Sequence, residues 1–120
     1  MRLYTDIDPD KQRVVVTFAG AIDLHDITEM MFTSAKAGAL SFPTLIDAGD
    51  GTVLLTPEDM ERILANLREL ASRSKIAKCA VLVSNPTSLA TVTTVSQLLA
   101  EVSPIKGFLD RADAERWLGW

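Results

Sequence analysis

The sequence predicts an α/β fold: an open, mostly parallel five-stranded sheet with an antiparallel hairpin strand at its N-terminal side and about four helices. Three observations carry this. Segments of apolar period two alternate with segments of helical spacing. The first two period-two segments are joined by a link too short for a parallel crossover. Each later one is separated from the next by a helix-length stretch, the pattern of βαβ units.

In order, Arg2 to Asp8 alternates Leu3, Thr5 and Ile7 against Tyr4 and Asp6, which reads as a strand. Asp8-Pro9-Asp10-Lys11 is turn chemistry. Arg13 to Phe18, with three consecutive valines, is the second strand and pairs back on the first. Asp23 is a helix N-cap followed by Leu24, Ile27, Met31 and Ala35 at helical spacing, and Gly38 stands where a left-handed cap is wanted. Thr44 to Asp47 is a short strand, and Ala48 to Val53 reads as a loop with two glycines.

Thr56 caps the next helix and Pro57 opens it, where a missing N–H costs nothing. Met60, Ile63, Leu64, Leu67, Leu70 and Ala71 form its apolar stripe, and Glu58–Arg62 and Glu69–Arg73 have ion-pair spacing. Ala77 to Val83 is apolar on both faces, as a central strand is. Asn85-Pro86 repeats the cap-plus-proline device for a helix running to about Val102, with Leu89, Val92, Val95, Leu99 and Val102 inward. Its threonines are poor helix formers, so it depends on tertiary packing. Ile105 to Leu109 is the last strand, and Asp110 caps a short helix with Ala114, Trp117 and Leu118.

The 120 residues make a single domain, 1–120, large enough to fold without disulfide or metal. Hydrophobic residues at 48% exclude disorder, and a net charge of −4 speaks against a nucleic-acid surface. Cys79 is the one cysteine, so no intrachain disulfide forms. Met1 to Asp10 has no apolar core of a signal peptide, and no run approaches the roughly 20 apolar residues of a membrane helix. The expectation is a cytoplasmic protein without membrane insertion.

The segments Val14-Val15-Val16-Thr17-Phe18-Ala19-Gly20, Leu45-Ile46-Asp47-Ala48, Leu55-Thr56-Pro57-Glu58-Asp59 and the ending Phe108 to Leu118 resemble the SpoIIAA-like group. That group includes STAS (anti-sigma-factor antagonist) domains and CRAL-TRIO lipid-binding domains, and the likeness is to small stand-alone bacterial members. The resemblance implies a right-handed β-α superhelix. STAS domains present a phosphorylatable serine in an Asp-Ser-Gly turn before the second helix. Here that segment reads Asp47-Ala48-Gly49-Asp50-Gly51-Thr52, and Thr56 is the nearest hydroxyl, hence the candidate phosphosite. The departure weakens a sigma-factor switching role.

In such a sheet the C-terminal strand ends and helix N-termini share one edge, where ligands usually bind. The edge candidates for a ligand or partner are Asp23, Asp47, Asp50, Thr56, Ser84, Asn85, Thr87 and Ser88. Their acids repel an anion and suit a hard cation, but capping by Asp23 and Asn85 and turn formation by Asp47 is the plainer reading. His25 reads as a surface or partly packed side chain, and Cys79, in the most apolar strand, as inert. No catalytic residues, cofactor or metal site are expected. Because Val14–Val16 and Cys79–Val83 are apolar on both faces, something covers the second sheet face: Trp117 and Trp120, or another subunit. Met30, Met31, Phe32 and Phe42 supply adaptable apolar surface.

The functional expectation is a non-enzymatic regulatory or protein-interaction module of STAS-like type, with a protein partner or a second copy in a homodimer. The alternative is binding of a small apolar ligand or lipid between the first two helices and the sheet.

Overall fold

The computed structural model describes residues 3–49 and 51–120. Strand β1 (Leu3–Asp8) turns through Pro9 and pairs antiparallel with β2 (Arg13–Phe18), Leu3 opposite Phe18 and Asp8 opposite Arg13. Asp8 Oδ1 accepts from the amides of Asp10 and Lys11, the local bonding that makes an aspartate a turn former. The Arg2 end of the expected strand lies outside the described residues.

Helix α1 (Leu24–Lys36) and strand β4 (Thr44–Gly49) follow, β4 parallel to β2. Helix α2 (Pro57–Ala71), strand β6 (Cys79–Val83), helix α3 (Pro86–Leu99), strand β7 (Ile105–Phe108) and helix α4 (Arg111–Leu118) complete the order. The main sheet runs β1-β2-β4-β6-β7, and every pair beyond the hairpin is parallel. This is the sheet that the alternation of periods predicts.

The loop expected from Ala48 to Val53 is not simply a loop. Strand β4 extends to Gly49, and Thr52–Val53 (β5) pairs with Ala21–Ile22 (β3) in a small parallel sheet beside the main one. Two-residue pairings leave no periodic trace, so nothing local announces them. Gly51 is required here: a Cβ would stand 2.8 Å from the Ala48 carbonyl. The third helix stops at Leu99 rather than Val102, and β6 begins at Cys79 rather than Ala77.

Four N-caps form as the sequence predicts, Asp110 accepting from the Ala112 amide at 2.7 Å at the start of α4. Asp23 accepts from the Asp26 amide while Asp26 accepts from the Asp23 amide, a reciprocal capping box. Thr56 and Asp59 do the same at α2. Asn85 Oδ1 accepts from the Ser88 amide at 2.8 Å. Gly38 takes φ +71° just past the end of α1. Of the two ion pairs expected on α2, Arg73 reaches Glu69 at 2.6 Å, whereas Glu58 and Arg62 do not pair. Ala71, expected in the apolar stripe, is exposed because it lies in the last turn of the helix.

Helices α1, α2 and α3 lie on one face of the sheet, over Val14, Val16, Phe18 and Ile46. The other face is covered by α4, whose Ala114 and Leu118 pack on Leu45 and Ala80 with Trp117 and Trp120 at the margin. Trp117 lies 5.8 Å from the Phe108 ring, its carbonyl accepts from Lys78 Nζ, and Arg13 stacks on Trp120. The second face is thus covered from within the chain over β4, β6 and β7, chiefly by Ala114 and Leu118 of α4, whereas Tyr4 and Thr17 on the β1–β2 side stay exposed.

Candidate functional site

The expected polar edge does not come together as one site. Asp23, Thr56 and Asn85 each cap a helix and are occupied with amides of their own first turns. Ser84 is exposed beside Asn85, Ser88 is half-buried in the first turn of α3, and Thr87 is exposed. Asp47 is not a turn former. It sits within β4, two residues from Leu45, so strand alternation directs it to the α4 face. There it faces the Arg111 guanidinium at 3.8 Å. Asp50, expected at this edge, lies outside the described residues. Among the described residues no group of three or more His, Cys, Asp or Glu side chains is placed to hold a metal ion. His25 is exposed and lies 3.4 Å from Glu29, one turn along α1.

A different feature occupies the interior. Between the sheet and helices α1–α3 lies a cavity of about 210 Å³ with an almost wholly apolar lining. The floor comes from Val16, Phe18, Ile46, Cys79 and Val81. Helix α1 contributes Ile27, Met30, Met31 and Ser34, positions that recur at helical spacing along its inner stripe. Ile63 and Leu67 of α2 and Val92, Val95 and Leu99 of α3 close it. Several of these side chains are half-buried although they point inward, Val81 and Cys79 on the central β6 among them. Their accessible surface is cavity surface. The Cys79 thiol is accordingly desolvated, and burial pushes it up to about 12.

Beside the cavity, a groove of about 520 Å³ lies between α2 and α3. Val53, Leu55, Met60, Thr91 and Val95 line both, so the two spaces share a wall. Val53, Leu54 and Leu98 stand exposed at this side of the molecule. Met30 and Met31 were legible as adaptable surface, whereas the share taken by α3 and by Ser34 was missed. The signal for Ser34 is its position: three residues after Met31 and seven after Ile27, on the buried stripe.

This architecture is a SpoIIAA-like fold. The chain is similar to a solved structure, an uncharacterized protein of the DUF3478 family with a SpoIIAA-like fold from Shewanella loihica PV-4. The likeness has a TM-score of 0.65 at 16% identity and covers 97% of this chain and 93% of that one. No protein-family model and no curated protein matches the chain. Among the described residues, no helix is long and apolar enough to cross a membrane.

Proposed function

We propose that this protein is a non-enzymatic binding protein for a small apolar ligand held between the sheet and helices α1–α3. The cavity of about 210 Å³ carries this reading. Apolar space left unfilled between sheet and helices forgoes packing that larger side chains would supply. A chain with methionines and valines at these positions has larger residues available to fill the space. Keeping it open is what a binding site requires, and the adjoining groove is where a route in would lie. The test is a methyl-resolved NMR titration of the purified chain with n-octane and methyl hexyl ketone. Saturable shifts confined to Met30, Met31, Ile63 and Val92 are expected; shifts that never saturate, or that scatter over the surface, refute binding.

A second reading, regulation through a protein partner or a second copy, draws on the exposed Val53, Leu54 and Leu98. It expects concentration-dependent self-association in sedimentation velocity, abolished by Leu54→Asp. A monomer at all concentrations that also ignores that substitution removes the homodimer.

A further inference from the structure

The charges and hydroxyls around the cavity specify more than apolarity. We infer that it selects an uncharged molecule of about eight carbon atoms carrying one acceptor oxygen, which receives a hydrogen bond from Ser34 Oγ. This rests on the ligand-binding reading above and goes beyond it in naming the chemical class and the anchoring residue.

The size follows from comparison. A cavity of roughly 150 Å³ lined by aliphatic and aromatic side chains takes up benzene. The same occupancy in about 210 Å³ corresponds to about eight heavy atoms.

The charge follows from the lining. Among the described residues, no lysine, arginine or histidine lines either the cavity or the groove. A carboxylate carried inside finds no counter-ion and is driven to give up its charge. The one ionised group of the lining, Glu61, faces the outer groove, with Glu58 and Asp59 in the same helical turn region. These acids repel an incoming anion. An ammonium group reaching the cavity proper has no carboxylate to meet there.

The acceptor follows from the hydroxyls. Four line the cavity: Ser34, Thr44, Thr91 and Ser103. Thr44 donates to the Phe42 carbonyl, Thr91 to that of Thr87 and Ser103 to that of Ala77. Ser34 Oγ has no hydrogen-bond partner among the described residues, although the residue is only 9% exposed. No side-chain oxygen there is both inaccessible and unpartnered, so the Ser34 hydroxyl reaches the cavity surface. A hydroxyl that opens onto an almost wholly apolar space finds no partner there, and a ligand oxygen would supply one. A ketone, ester or alcohol matches this requirement, whereas an alkane does not.

The experiment titrates the full chain and its Ser34→Ala variant with methyl hexyl ketone, n-octane and octanoate at near-neutral pH, read by methyl-resolved NMR. Alanine is the better helix former, so α1 persists in the variant, and n-octane binding reports that its cavity is intact. The ketone is expected to bind at least about tenfold more tightly than octanoate, and Ser34→Ala to weaken the ketone about three- to tenfold, the range of one hydrogen bond. The n-octane affinity should stay within about twofold, since an alkane makes no use of the hydroxyl. Octanoate binding as well as the ketone, or a variant that weakens ketone and alkane alike, overturns the inference while leaving apolar binding standing. Saturable binding by none of the three overturns both.

Discussion

Filling the cavity should stabilise this protein, whereas the same change in a packed core would destabilise it. Val81 is the position to use. It lies on β6, hydrogen-bonded on one side to β4 and on the other to β7, yet it remains half-buried because it lines the cavity. Val81→Phe adds four side-chain carbons. At about 0.8 kcal/mol per buried carbon they contribute about 3 kcal/mol. Holding the ring in one rotamer takes back about 1 kcal/mol, leaving a gain of about 2 kcal/mol. For a domain of this size that raises Tm by about 8 °C. Val81→Ile, with one added carbon, should give about 0.8 kcal/mol and serves as the graded control.

The measurement is urea unfolding at equilibrium, with thermal melts alongside. The same variant should lose ligand affinity, because four carbons of ring occupy about half of the space for an eight-carbon guest. About 3 kcal/mol of lost burial is a fall of about a hundredfold in affinity. If both substitutions lower stability by about 1–3 kcal/mol, as overpacking does, the interior is full and the argument from the cavity collapses.

Two further outcomes follow. Thr56→Ala removes the hydroxyl that accepts from the Asp59 amide at 3.1 Å, so urea unfolding should show a loss of about 1 kcal/mol; no loss would mean that α2 is not held by its cap. The Cys79 thiol rises from its ordinary 9.0 to about 12 in the folded chain. The folded state therefore keeps its proton where the unfolded state releases one, so stability is unaffected below pH 9.0 and falls between there and about 12. Cys79→Val should flatten that fall in urea midpoints measured across the range, and an identical decline in both proteins would show that other groups cause it.

Much of the fold was legible because its causes are local. The hairpin declares itself through alternation and the Asp8-Pro9 turn, and four helix starts through side chains that bond their own first turns. The doubly apolar β6 announced a covered second face, and α4 covers it there with Ala114 and Leu118, the tryptophans standing at the margin. What escaped depends on partners distant in sequence. Asp47 reads as a turn residue until Arg111 arrives beside it from the start of α4. The β3–β5 pair has two residues a side and so no period to detect. The polar edge was overread for a related reason. Capping residues are polar and gather at one end of any such sheet, but each is already occupied by its own helix. A cavity, by contrast, is a property of how side chains from the sheet and three helices fail to meet. No single segment encodes it, although the stripe Ile27, Met31 and Ser34 placed a hydroxyl among apolar neighbours where a core has little use for one.

The two faces of the sheet differ in how tightly they are packed, and β6 shows it within a few residues. Ala80 is fully inaccessible beneath α4, packed with Leu45, Ala114 and Leu118. Cys79 and Val81, its neighbours in sequence, point the opposite way and keep accessible surface in the cavity. Helix α3, which closes that side, is rich in threonine and so weak in intrinsic propensity. Three of its threonines, Thr91, Thr93 and Thr94, return hydrogen bonds to carbonyls one turn back, a habit that slightly loosens and bends helices. Its neighbour across the groove, α2, is by contrast capped at both backbone and side chain and carries strong helix formers. The helix with least strength of its own therefore depends on tertiary packing, and it obtains that by setting Leu89, Val92, Val95 and Leu99 against the core.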